Sequence, residues 1–151
     1  MDAFDIAGQP VGPEEPTFII AEAGSNHNGN LETAKKLIDV AADAGADAIK
    51  FQTFRAEDMY VEESGDVEYL DDDRSIYDII ESMEMPYEWI PTLHEYCHER
   101  GVQFLSTPFD ERSAAKLEEY VPAWKVASYT SSHHPFLEHL AATDKPVIMS
   151  T

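Results

Sequence analysis

The sequence predicts an α/β chain built on a parallel sheet, and three observations carry that expectation. Short apolar, β-favouring runs alternate with segments whose apolar residues recur at helical spacing. Strands linked through helices join by right-handed crossovers, which sets them parallel. The chain is 151 residues long and 43% hydrophobic, about one domain's worth with enough apolar side chains for a core. α/β barrels and doubly wound sheets both satisfy this alternation, so periodicity leaves the two architectures open.

The first strand is expected over residues 17–21, Thr-Phe-Ile-Ile-Ala, after a start rich in Pro and Gly. A helix follows over 30–42, where Leu31, Ala34, Leu37, Ile38 and Ala41 recur at helical spacing. Asn30 is its N-cap and Gly45 its stop. Residues 47–52 read as the second strand. A polar stretch runs from 53 to about 73, before helices around 75–83 and 87–100, the latter stopped by Gly101. The third strand is placed at 102–106, a helix at 111–120, the fourth strand at 123–127, a short helix at 135–142 and the fifth strand at 145–150.

Charge narrows the function classes. Thirty acidic residues face ten basic ones, a formal net charge of −20. Such a surface repels nucleic acid and anionic membranes, so neither is expected as a partner. The acids are dispersed (Glu14, Glu15, Asp39, Asp43, Glu118, Glu119), a pattern that predicts adaptation to high salt, a halophilic habitat. The run Asp71-Asp72-Asp73 reads as a solvated loop that caps the following helix. No apolar run approaches the roughly 20 residues of a membrane helix, and the acidic start lacks the basic and apolar regions of a secretory signal. Cys97 is the only cysteine, so no intrachain disulfide forms. Together these predict a cytoplasmic location.

The functional signal is positional. Each apolar strand ends, at its carboxyl side, in residues a buried strand does not otherwise tolerate: Glu22; Lys50 and Gln52; Ser106 and Thr107; Lys125 and Ser128; Ser150 and Thr151. Active sites of α/β proteins gather at that face. Two lysines with several hydroxyls suit a phosphate or carboxylate, and Glu22 is the one carboxylate placed for proton transfer or for a substrate hydroxyl. The other signals point to bland roles. His94 and His98 stand at i, i+4 without the His-Glu-x-x-His signature and read as a solvated helix face. His133-His134 lacks carboxylate partners at ligand spacing, and Cys97 sits mid-helix with no base nearby. Gly24–Gly29 does not form the dinucleotide fingerprint.

Six segments resemble the N-acetylneuraminate (sialic acid) synthase family. Glu22-Ala-Gly-Ser-Asn-His-Asn-Gly29 is similar to its opening motif, Lys50-Phe-Gln52 to its second-strand motif, and Ser75-Ile-Tyr77 to the segment before the next helix. Phe104-Leu-Ser-Thr-Pro-Phe109, Trp124-Lys-Val-Ala-Ser128 and Pro146-Val-Ile-Met-Ser-Thr151 resemble the motifs of strands three to five. The resemblance implies a (β/α)8 TIM barrel, of which residues 1–151 supply about the first five βα units, with a C-terminal antifreeze-like domain and a homodimer in the complete enzyme. It implies condensation of C3 of phosphoenolpyruvate with the aldehyde of an N-acetylamino sugar, releasing phosphate, with a divalent metal, Mn2+, as Lewis acid. Lys50, Thr107, Lys125, Ser128 and Ser150 then hold phosphoenolpyruvate. Glu22, Lys50 and Gln52 form the catalytic set. Asn26, His27, Asp71 and Tyr77 are acceptor-sugar candidates.

Two features refine this. Members specific for N-acetylmannosamine continue the fourth strand as Gly-Ser-Gly-Glu, whereas this chain has Ala127-Ser-Tyr-Thr130, closer to relatives making pseudaminic, legionaminic or spore-coat sugars. Asp71 stands where the family has an acceptor-binding Asn. The family's two metal-binding histidines come from later strands, so no metal ligand is expected within residues 1–151. Another phosphoenolpyruvate-condensing aldose synthase of the same barrel class is the alternative enzyme, and a non-catalytic remnant the alternative without activity.

Overall fold

The computed structural model describes residues 3–62 and 74–151. It opens with an element absent from the expectations, an antiparallel hairpin of β1 (Phe4–Ile6) and β2 (Gln9–Val11). Ala7 (φ 53°) and Gly8 (φ 85°) form its two-residue turn, and the Gly8 N–H donates to Asp5 Oδ1 at 2.7 Å. Strands of three residues, one containing Pro10, carry too little alternation to stand out from a Pro/Gly-rich start.

The five expected strands are present with shifted bounds. β3 (Ile20–Gly24) begins later than residue 17 because Ile19 is engaged elsewhere: its carbonyl accepts the N–H groups of Asp47 and Ala48, and its own N–H donates to the Asp47 carboxylate. α1 (Leu31–Asp43) starts at Asn30, whose Oδ1 accepts the Thr33 N–H at 2.9 Å. β4 (Ala48–Thr53) is followed by a short α2 (Ala56–Met59) within the stretch read from sequence as polar. α3 (Ile76–Glu81) is capped by Ser75 in a reciprocal box with Asp78; the aspartate run 71–73, expected to supply that cap, lies outside the described residues. α4 (Trp89–Arg100) ends at Gly101, left-handed at φ 74°. Then come β5 (Gln103–Pro108), α5 (Glu111–Leu117), β6 (Trp124–Val126), a 3-10 turn (Ser128–Thr130), α6 (His134–Ala141) and β7 (Val147–Met149).

β3, β4 and β5 form one parallel sheet in that order, and β6 and β7 a second parallel pair packed beside β5. Because side chains alternate along a strand, the strands face two environments. Ala21, Ala23, Ile49, Phe51, Phe104, Trp124 and Val126 pack under the helices against Ile38, Leu93, Leu117, Phe136 and Leu140. Phe51 and Phe104 stack with centroids 6.0 Å apart. On the opposite face Ile20, Ala48, Leu105, Ala123 and Ile148 gather around Ile6 and Val11 of the hairpin. The hairpin therefore plugs the end of the sheet where β4 begins. Asp47 latches it there, accepting Gln9 Nε2 at 3.0 Å on Oδ1 while Oδ2 holds Ile19.

His94 departs from the solvated face expected of it. Its ring is half-buried, edge-on to Tyr120 (5.5 Å) and Phe104 (6.3 Å), while His98 is exposed. Cys97 is buried and apolar surroundings push its thiol up to about 12.

Candidate functional site

Two residues beyond each apolar position of the inner face stands a polar one. Ile20 is followed by Glu22, Ala48 by Lys50, Leu105 by Thr107, Ala123 by Lys125 and Ile148 by Ser150. A step of two returns a side chain to the same face, so these five form a polar layer directly above the apolar one. This corrects the expectation of strand-end residues: Glu22, Lys50 and Lys125 lie within β3, β4 and β6. Lys50 and Lys125 come from strands that β5 separates, since it stands between β4 and β6. They converge because both point inward.

The layer opens into a cavity of about 410 Å³ lined by Glu22, Lys50, Gln52, Thr107, Lys125, Ser128 and Ser150, together with Gly24, Ser25 and Ala127. That volume falls within the range of about 300–1,000 Å³ of small-molecule sites. Lys50 is 8% exposed and ion-paired with Glu22, which stands opposite it in the β3–β4 register. Lys125 Nζ donates to Ser150 Oγ and to the Val126 carbonyl, each at 2.6 Å. Burial lowers the Lys125 pKa from its ordinary value; the Lys50 charge lowers it further, and Glu22 partly opposes both. Thr107 is buried, and Gln52 Oε1 accepts the Ser25 hydroxyl at 3.2 Å.

Gly24 sits where the β3–β4 register shifts, at φ 55°. A side chain there is strained, and its Cβ would stand 3.4 Å from Glu22 Oε1. Sequence reading missed Gly24, Ser25 and Ala127 as lining residues. The available signal was that the first two stand two and three residues after Glu22, at the end of β3 and just beyond it.

The remaining expected residues fall elsewhere. Ser106 points the other way and is within 2.7 Å of Thr53 Oγ1, with both side chains buried. Thr151 and Asn26 are exposed and Tyr77 lies on α3, all three outside the cavity lining. His27 is wholly buried away from the cavity, and Asp71 lies outside the described residues. A second cavity of about 450 Å³ lies by Phe109 and Tyr129, but Asp58, Asp110 and Glu111 line it and its Arg112 is paired with Glu57 and Asp58. An anion is repelled there and attracted by the two lysines. The donor set does not fit Mn2+: the cavity offers two ammonium groups and one carboxylate already paired. Among the described residues no group of three or more His, Cys, Asp or Glu is placed to hold a metal.

Parallel strands under helices, with a lysine-and-hydroxyl layer above an apolar floor, define an α/β protein whose inner face suits a small anion. The particular family follows from comparison. The NeuB family model matches residues 37–151, and the chain belongs to that family. It is 50% identical, over its whole length, to 41% of the spore coat polysaccharide biosynthesis protein SpsE of Bacillus subtilis. It is 37% identical to an N,N'-diacetyllegionaminic acid synthase of Legionella pneumophila, covering 95% of this chain and 42% of that protein. The solved N-acetylneuraminic acid (sialic acid) synthetase of Leptospira borgpetersenii, in complex with citrate, superposes at TM-score 0.84 with 32% identity, over 98% of this chain and 49% of the other. The chain thus has the fold of part of a TIM-barrel enzyme, and it spans about two fifths of the length of the curated relatives it matches.

Proposed function

We propose that residues 1–151 carry the phosphoenolpyruvate-holding part of a cytoplasmic synthase that makes a nonulosonic acid from an N-acylated amino sugar. The observation that carries the reading is the convergence of Lys50 and Lys125 with Thr107, Ser128 and Ser150 in one cavity. Phosphoenolpyruvate presents a phosphate and a carboxylate close together, and two ammonium groups with hydroxyl donors match that pair of anions. A bound anion competes for Lys50, and the Glu22 carboxylate it releases becomes available to an acceptor hydroxyl or to proton transfer. Gln52, held through its Oε1 by Ser25, turns its amide donors toward the acceptor. In the reaction, C3 of phosphoenolpyruvate bonds to the aldehyde carbon, water adds at C2 and inorganic phosphate leaves. Ala127-Ser-Tyr-Thr130 and the likeness to SpsE favour a diacetamido or spore-coat sugar over N-acetylmannosamine as acceptor.

In the complete enzyme that the resemblance implies, Mn2+ would supply Lewis acidity at the aldehyde and would take its ligands from residues other than the described ones, which hold no metal-binding group. On this reading the 151 residues bind phosphoenolpyruvate without turning it over. Calorimetry with phosphoenolpyruvate tests the site. Lys50→Met keeps the bulk, removes the charge and is expected to weaken binding at least about thirtyfold, or 2 kcal/mol. An affinity within about twofold of the parent, roughly 0.4 kcal/mol, overturns the assignment.

A further inference from the structure

His27 is 0% exposed in the turn between β3 and α1, and its ring stands edge to face against Trp89 of α4, centroids 5.6 Å apart at 78°. Its Nδ1 accepts the Gly29 N–H at 3.1 Å, so the neutral ring carries its proton on Nε2. That Nε2 is buried with no hydrogen-bond partner among the described residues. An apolar ring would fill the space without stranding a polar atom, so packing alone does not account for an imidazole here.

The turn accounts for it. The backbone takes positive φ at Gly24 (55°), Asn28 (50°) and Gly29 (65°), a path that holds its shape only where bonds fix it. Asn26 N–H donates to Ala23 O at 3.1 Å and Asn30 N–H to His27 O at 3.0 Å. The bond from Asn28 to Ser25 is long, 3.4 Å, and the Gly29 N–H is held by the imidazole. This same turn delivers Gly24 and Ser25 to the cavity, and Ser25 to Gln52.

We propose that His27 is a positioning residue whose Nδ1 fixes the β3–α1 turn so that Gly24 and Ser25 wall the anion cavity. It acts through the turn and touches no substrate, which replaces the acceptor-contact role expected from sequence. The proposal rests on reading the cavity as a phosphoenolpyruvate site. Burial lowers the imidazole's pKa, which favours the neutral ring the bond requires.

Three variants separate the ring's atoms. His27→Asn places Oδ1 where Nδ1 stands, His27→Gln reaches only the Nε2 position, and His27→Phe keeps the ring against Trp89 with no polar atom. Phosphoenolpyruvate affinity is read by calorimetry, protection of the Gly29 amide by hydrogen exchange, and the tautomer by long-range 1H–15N spectra. The expected result is an Nε2–H tautomer. His27→Asn should keep affinity within about threefold with Gly29 protected, while His27→Phe and His27→Gln both lose Gly29 protection and about tenfold or more in affinity. Rescue by His27→Gln in place of His27→Asn, an Nδ1–H tautomer, or a His27→Phe variant that binds normally overturns the proposal. If the parent chain binds no phosphoenolpyruvate, the functional reading fails by itself. The tautomer and the Gly29 protection of the three variants then decide the positioning role.

Discussion

The two layers of the sheet's inner face differ by one step of the same strands. Below, Ile20, Ala48, Leu105, Ala123 and Ile148 surround Ile6 of the hairpin. Two residues on, Glu22, Lys50, Thr107, Lys125 and Ser150 present charges and hydroxyls to a cavity. Backbone geometry is shared, so the contrast lies in what covers each layer. The lower one is plugged by a hairpin, whose Ile6 is buried within it; the upper one opens to solvent. The strands are a scaffold indifferent to chemistry, with burial imposed at one end and a polar cavity left at the other.

Moving a charge down one step should break the contrast most severely. Leu105→Lys puts an ammonium among Ile6, Ala48 and Ala123 with no anion beside it. It is expected to cost about 4 kcal/mol or more, leaving the chain largely unfolded by urea titration with circular dichroism. Releasing the plug is milder. Asp47→Ala removes the acceptors of Ile19 and Gln9 and should cost about 1–2 kcal/mol at pH 7. Those bonds hold the Asp47 pKa below its ordinary 3.8, the Ile19 bond most. Its contribution is therefore present above pH 3.8 and lost as pH falls through the lowered value, so the difference between parent and variant should shrink in acid.

In the upper layer the sign reverses. Lys125→Met removes a cation that burial and Lys50 disfavour, so stability should hold or rise by up to about 1 kcal/mol even as phosphoenolpyruvate binding is lost. A melting point that drops by several degrees would erase the distinction between the layers. Last and smallest, the surface charge of −20 should raise the melting temperature by a few degrees between about 0.1 and 1 M KCl, as the screening length falls from about 10 to about 3 Å. A flat or falling midpoint counts against the salt-adaptation reading.

The strand–helix alternation was legible because β4 and β5 are apolar and six residues long and because Asn30, Ser75 and Gly101 mark helix ends with side chains that act locally. The seven residues expected for catalysis and phosphoenolpyruvate were legible as polar interruptions of apolar runs, and all seven line one cavity. Their height in the strands was not, since a single sequence shows a strand's polarity but not where its neighbours start. The hairpin was hidden because its stability is tertiary: Ile6 is an ordinary residue until the inner face needs a plug. His27 was read as a contact because its motif lies beside Glu22. Only packing against Trp89 reveals that it faces away from solvent.

The break in the sheet between β5 and β6 has a mechanical consequence. Glu22, Lys50, Gln52 and Thr107 ride on one sheet, while Lys125, Ser128 and Ser150 ride on or just beyond the other. No backbone ladder among the described residues spans the joint, so a ligand held by both lysines becomes a rivet across it. Occupancy at a hundred times Kd adds about 2.7 kcal/mol by mass action, and that gain should fall mainly on the seam. The amides of β6, whose one ladder partner among the described residues is β7, should slow their exchange most when the anion arrives.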